Sequence, residues 1–352
     1  MNKINWQKVV TREYSFLWAS YTAEAYKKML KITGTTLNFN LFYTEGRILT
    51  IYREPKDVLK SYKLINSLLK KDFDIVVGYI DEYESLLNKI YVLFEEIKRI
   101  RNKREVCKKL IELDKIFLKI VCFFLFFVFL GYAGDLPNVK KFLKKHGAKI
   151  KKIRMKTIDT DISKEFPLVF NCFDERFKSN ILYMTRKEVI NVLYDKQANW
   201  QKIEKRKQKG LLVVRKNIVK EVELDKIDKT LTTELSHLKI NKDRAFLKGR
   251  IACQGKISGK VVIVLKKSDY KKIFSGCILV TPMTKPDIIP YLKNVKGIIT
   301  NDGGALCHAS IISRELSIPC VVGTIYATDI LKDGENVFLD ASQGIIKRDI
   351  KN

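Results

Sequence analysis

The stretch GGALCHASIISRELSIPCVVG, from Gly303 to Gly323, decides how this 352-residue chain is read. It holds His308, one of only three histidines, four residues beyond a glycine pair. Val295 to Thr300, just before it, is a short run around Gly297-Ile-Ile that predicts a strand. Gly303 and Gly304 then permit a tight turn that brings backbone amides close to whatever lies beside it. Ala305 to Leu316 reads as a helix, so His308 falls in or near its first turn. The N–H groups left over at a helix start, with the positive end of the dipole, favour an anion there. The same dipole disfavours the imidazolium and keeps a ring nitrogen available for attack. One reading of such a residue is a phosphoryl carrier. The other is a helix-start histidine making one hydrogen bond.

Working outward, Gly259 to Leu265, Cys277 to Thr281, Pro319 to Gly323 and Asn336 to Asp340 are further short apolar runs bounded by turn residues, and predict strands. Thr284-Lys-Pro-Asp287 caps a helix between the second and third strands. Strands mixed with helices over about a hundred residues make a compact α/β domain. Upstream the pattern changes. Seven of the 17 glycines lie before residue 245 and ten after it, as expected for a helix-rich first part. Val58, Tyr62, Ile65 and Leu69 recur at helical spacing after Pro55 and Asp57, as do Tyr79, Tyr83, Leu86, Ile90, Leu93 and Ile97. Thr185-Arg-Lys-Glu188 is a capping-box pattern opening a helix from Lys187 to about Gln201. Short extended pieces lie near Asn38–Arg53, with Gly46 at a turn. Lys98 to Arg101 and Lys140 to Lys156 read as solvated helix faces.

The segment Gly303 to Gly323 resembles the phosphohistidine (swivelling, or mobile) domain of phosphoenolpyruvate-utilising enzymes, a family that includes phosphoenolpyruvate synthase, pyruvate phosphate dikinase, rifampicin phosphotransferase and enzyme I of the sugar phosphotransferase system. The likeness runs in order through Gly255, Gly259-Lys260, GCILVTPMTKPDIIP from Gly276 to Pro290, GIITNDGG, and Asp333-Gly334, Asp340 and Gly344. It covers residues 249–348. The resemblance implies that His308 is the phosphoryl carrier and that Thr300, Asp302, Gly303 and Gly304 form the turn around it. Cys307 precedes the histidine as in the synthase branch. Arg314 and Glu315 occupy the family's Arg-Glu pair, with Arg314 either at the phosphate or structural in the helix. Thr281 and Thr284 match hydroxyls of the neighbouring loop and read as caps. Leu306 stands where many relatives carry threonine, and Ser317 where they carry glycine.

The expected architecture is therefore multidomain: a mostly α-helical N-terminal region over 1–239, with linker-like helices at 180–210, a linker over 240–248, and a C-terminal α/β swivelling domain over 249–348. Asn180 to Glu188 and Ile203 to Lys207 resemble the helical linker of rifampicin phosphotransferase-like proteins. In the relatives an ATP-grasp domain charges the histidine and a further site receives the phosphate. The first 245 residues show no glycine-rich phosphate loop, and the chain ends shortly after the carrier segment. The expectation is that ATP and Mg belong to a separate ATP-grasp subunit, that this chain alone binds no cofactor, and that a small-molecule acceptor completes the reaction. A wall of Phe123, Phe124, Phe126, Phe127 and Phe129 would line an acceptor pocket, or else form plain helical core. The function expected is a phosphotransferase component; a non-catalytic, partner-binding relic of the fold is the alternative.

Composition narrows the rest. Lys and Arg number 67 against 39 Asp and Glu, a net charge of +28 that favours anionic partners. Lysine is spread along the whole chain and no nucleic-acid-reading motif accompanies it, so nucleic acid is not an expected partner. Seven cysteines without a C-x-x-C pair, and no basic-then-apolar leader, imply free thiols and a cytoplasmic location. Ile116 to Gly134 reads IFLKIVCFFLFFVFLGYAG; its uninterrupted part, Ile120 to Ala133, is shorter than the ~18 apolar residues of a spanning helix, which favours a buried helix over membrane contact. Cys307 and His308 are helix neighbours pointing about 100° apart, which argues against a thiol–imidazole pair. His146 and His237 read as surface residues, and the three histidines lack zinc spacing, so no metal is expected.

Overall fold

The computed structural model describes residues 4–158, 162–216, 218–238, 244–303 and 307–349, with backbone alone at 155–158 and 162–164. In chain order the first elements are β1 (Gln7–Glu13), α1 (Phe16–Thr33), β2 (Phe39–Glu45), β3 (Ile48–Arg53), α2 (Pro55–Lys71), α3 (Phe73–Arg99), α4 (Lys103–Tyr132) and α5 (Pro137–Ile158). Next come α6 (Ile162–Val169), α7 (Phe177–Asn180), α8 (Arg186–Leu193), α9 (Trp200–Arg206), β4 (Lys209–Arg215), β5 (Ile218–Glu221) and α10 (Ile227–Glu234). The remainder is β6 (Phe246–Lys248), β7 (Arg250–Cys253), β8 (Lys256–Ile263), β9 (Ile278–Thr281), α11 (Ile289–Leu292), β10 (Gly297–Thr300), α12 (His308–Glu315), β11 (Cys320–Val322), α13 (Ala327–Ile330), β12 (Asn336–Asp340) and β13 (Ile345–Arg348).

These elements form two compact units. One comprises Met1–Asn5, Tyr14–Arg47 and Arg53–Thr230; the other comprises Trp6–Glu13, Ile48–Tyr52 and Leu231–Asn352. The linker expected over 240–248 includes an ordered edge strand, β6, because Leu247 is buried there against the second unit's core. Residues 240–243 lie outside the described residues.

The first unit is mostly helical. Its core is α4, whose Phe123, Phe126, Phe127 and Phe129 are fully buried. Phe123 and Phe126 pack on Tyr79 at 5.6 and 5.4 Å between ring centroids, and Phe127 packs on Tyr83 at 5.6 Å. Phe129 stacks on Tyr26 at 6.3 Å. Those rings fill the space an acceptor pocket would need, so the run is core; Phe124, half-buried, packs edge-on to Trp18. Among the described residues no single helix is long and apolar enough to cross a membrane. The capping box opens α8 as expected: Thr185 Oγ1 accepts from Glu188 N at 3.2 Å, and Glu188 Oε2 from Thr185 N at 2.8 Å. The helix expected to continue to Gln201 instead stops at Leu193, with Asp195 at φ 56°, and restarts at Trp200. β4 pairs antiparallel with β2 and β5.

The second unit holds an eight-stranded sheet in the order β6-β13-β12-β8-β9-β10-β11-β7. β8 to β11 run parallel, and the outer pairings are antiparallel. β8 serves both parts, pairing with β12 over Lys256–Lys260 and with β9 over Val261–Ile263. β6 and β7 are separated in sequence by Gly249 alone, yet stand at opposite ends of the order, so the sheet curls until its ends meet there. A Cβ at Gly249 would fall 2.5 Å from Val321 Cγ1 and 2.7 Å from the Val322 carbonyl; only glycine fits the closure. The central strands are buried on both faces. Val262, Leu279, Ile298 and Cys320 face one cluster with α12, while Val261, Ile278, Val280, Ile299 and Val321 face another with α13. This alternation follows from the two-residue period of a strand. β1 and β3 are adjacent strands, joined by a Thr11–Thr50 hydroxyl contact at 3.4 Å.

Candidate functional site

The strand β10 ends at Thr300 and the chain turns before α12. Thr300, fully buried, donates from Oγ1 to the Asp302 carbonyl at 2.6 Å and accepts at its own carbonyl from Thr324 Oγ1 at 2.9 Å. Asn301 exchanges two bonds with Thr328, at 2.6 and 3.0 Å. Gly303 has φ 125°, and a Cβ there would lie 2.7 Å from Cys307 Sγ, so both the backbone and the space demand glycine. Gly304, Ala305 and Leu306 lie outside the described residues. Thr300 and Asp302 thus build the turn by hydrogen bonding among themselves and their neighbours.

α12 starts at His308 rather than Ala305, with Cys307 as its extended N-cap residue (φ −73°, ψ 162°). Cys307 makes no side-chain cap bond; its Sγ lies 3.3 Å from Ser310 Oγ. His308 is therefore the first helical residue, where backbone N–H groups have no partner within the helix. Its Nδ1 meets Thr284 Oγ1 at 2.8 Å. Thr284 is 1% exposed, on the loop after β9. The Thr284-Lys-Pro-Asp287 segment does precede helical structure, a 3-10 turn at Pro286–Ile288 and then α11, but the Thr284 oxygen goes to the histidine. Asp287 instead accepts from Tyr270 OH at 2.8 Å.

Arg314 sits near the far end of α12 and donates to the Ala252 carbonyl on β7 at 3.4 Å. That bond ties the helix to the sheet. Asp302 meets side chains no sequence signal pointed to. Its Oδ2 lies 3.9 Å from Arg12 Nε on β1. Burial raises its carboxyl to about 6, with the Arg12 and Lys8 charges opposing. Lys8, almost fully buried, pairs with Asp329 at 2.5 Å. Arg12 and Lys8 lie some 300 positions upstream of their partners, beyond the reach of any local pattern. Thr284 was legible as a hydroxyl of the family loop but not as the partner of His308. His146 stacks half-buried on Phe142, and His237 Nε2 lies 2.8 Å from the Trp6 carbonyl, so neither is a plain surface residue. Among the described residues no group of three or more His, Cys, Asp and Glu side chains converges as metal ligands would.

Residues 273–344 match the model of the family "PEP-utilising enzyme, mobile domain". The chain is 44% identical over 117 residues to a probable phosphoenolpyruvate synthase of Methanothermobacter thermautotrophicus, covering 33% of this chain and 17% of that protein. It is 47% identical over 103 residues to a probable phosphoenolpyruvate synthase of Archaeoglobus fulgidus, covering 29% and 14%. It is 43% identical over 111 residues to the phosphoenolpyruvate synthase of Pyrococcus furiosus, covering 32% and 14%. The chain spans about a sixth of the length of the curated relatives it matches.

Proposed function

We propose, with a mobile domain of phosphoenolpyruvate-utilising enzymes at residues 273–344 as the premise, that this chain is a phosphotransferase component whose His308 carries a phosphoryl group between two sites. The observation that carries the reading is the 2.8 Å hydrogen bond between His308 Nδ1 and Thr284 Oγ1 at the first residue of α12. A buried hydroxyl there fixes the ring plane and commits one nitrogen. With Nδ1 bearing the proton and donating to Thr284, the lone pair is on Nε2. Nε2 attacks the phosphorus, the bond to the donor's oxygen breaks, and the phosphoryl group rests on the ring beside helix-start amides that favour its negative charge. The proton kept on Nδ1 leaves the phosphorylated ring cationic and ready to depart when an acceptor oxygen attacks. An ATP-grasp subunit holding ATP and Mg supplies the phosphoryl group, and a small molecule accepts it.

The experiment incubates the full chain with labelled ATP and an ATP-grasp partner. The expected result is label that is acid-labile and alkali-stable, and lost in His308→Ala. Label that survives His308→Ala would overturn the proposal.

A further inference from the structure

Four of the seven cysteines belong to the core cluster under α12 or pack against it: Cys277, Cys320, Cys253 and Cys307. Cys320 on β11 is the register partner of Cys253 on the antiparallel strand β7, next to the irregularity that shifts the register between Cys320 and Val321. Both face the cluster that includes Ala309, Ile312 and Val322, with Cys307 packed against the same cluster. Directly opposite residues of an antiparallel pair have Cα atoms about 4.5–5.5 Å apart, within the roughly 4.4–6.8 Å that a disulfide spans. Cys320 also begins a polar thread. It hydrogen-bonds Ser313, Ser313 Oγ donates to the Ser310 carbonyl at 3.3 Å, and Ser310 Oγ lies 3.3 Å from Cys307 Sγ. The thread ends at the residue that caps α12 and precedes His308. Burial pushes the Cys320 thiol up to about 12, with Ser313 lowering it and the Cys307 and Cys253 thiols adding to the rise. Cys320 is therefore a poor first nucleophile, whereas Cys253 is only half-buried.

We propose that Cys253 and Cys320 are a peroxide-responsive thiol pair that sets the hold on the N-terminal turn of α12. The Cys253 sulfur attacks one peroxide oxygen, the O–O bond breaks, water leaves, and Cys253 becomes a sulfenic acid. The Cys320 sulfur then attacks that sulfur. The S–O bond breaks, and the departing hydroxide takes the Cys320 proton as a second water. Two thiols have lost two electrons and the peroxide has gained them. The new bond draws the Cys320 sulfur toward Cys253 and away from Ser313, so the contact at the start of the thread slackens. The consequence for phosphoryl uptake rests on the reading of His308 as the carrier.

The test treats the full chain with hydrogen peroxide, blocks remaining thiols, maps cross-linked peptides, and follows amide exchange along α12, with label uptake measured in parallel. A Cys253–Cys320 peptide pair is expected. Exchange in α12 should rise about fivefold and label uptake fall about fivefold, the equilibrium worth of one neutral hydrogen bond. Both changes should reverse with dithiothreitol and be absent in Cys253→Ser. Peroxide treatment that yields no Cys253–Cys320 pair overturns the proposal, as does a pair that leaves α12 exchange unchanged. If the pair forms, exchange rises, and the reduced chain takes no label, the thiol pair stands and the carrier reading fails.

Discussion

The hydroxyl of Thr284 reaches Nδ1 of His308 across 24 positions of sequence, and the chemistry proposed for the ring depends on that contact. Thr284→Val keeps the shape and removes the bond. It should cost about 1 kcal/mol in denaturant unfolding and slow labelling of His308 about tenfold, the worth of a hydrogen bond to a charged ring. Thr284→Ser should restore the labelling rate, which a merely space-filling role would not require. Asp302 gives a second test at this scale. Its carboxyl ionises near 3.8 when unfolded and at about 6 in the fold, because burial disfavours the charge. Between those values the folded state binds the extra proton, so the group's contribution to stability falls as pH rises through the window and is level above it. The stability of the wild type relative to Asp302→Asn should fall by about 2 kcal/mol between about pH 4 and pH 7. A difference that is flat with pH would show that the carboxyl is not held in that state. Ser317, at φ 55° where the family signature has glycine, is a residue in a glycine conformation. Ser317→Gly should raise unfolding stability by about 1 kcal/mol.

At the scale of elements, what was legible in the sequence depended on how local its cause is. The capping box of α8 involves residues three apart and was readable. The strands β8 to β11 were readable because parallel strands buried on both faces give short continuous apolar runs, and β12, antiparallel to both its neighbours, was readable from its Val337-Phe-Leu339 run between turn residues. β7 and β13 were not, since Arg250-Ile-Ala-Cys and Ile-Ile-Lys-Arg348 are partly exposed edge or near-edge pieces without a long apolar run. The break between α8 and α9 was missed because positive φ at Asp195 leaves no strong mark in sequence. Nor could spacing show that Arg206, 4% exposed at its side chain, grips Glu188 at 2.7 Å and Glu221 at 2.6 Å. Those bonds convert a local cap into a tie between α8, α9 and β5. Arg206→Ala should therefore destabilise the first unit by about 3 kcal/mol, since it leaves the half-buried Glu188 without its cation while Glu221 keeps Lys202 at 2.6 Å. Thr185→Ala, which removes only the cap, should cost about 1 kcal/mol in the same denaturant titration.

At the scale of the molecule, the Gly303–Gly323 segment and its flanking strands were legible because they are contiguous. The composition of the second unit was not, because two of its pieces come from near the start of the chain. Trp6–Glu13 and Ile48–Tyr52 join Leu231–Asn352 through contacts that no periodicity records. Trp6 Nε1 donates to Glu234 at 2.8 Å, Lys8 pairs with Asp329, and Arg12 lies beside Asp302. A lysine as buried as Lys8 is stable in the fold only while its carboxylate is present, and the loss of either partner strands the other's charge. If β1 is an integral part of this unit, Asp329→Ala in the full chain should cost about 3 kcal/mol and be felt within the second unit alone. Amide exchange should accelerate in β1, β9 and β10 while α3 and α4 keep their protection. Equal acceleration in α3 and α4 would mean that the two units unfold as one and that β1 does not belong to the second more than to the first.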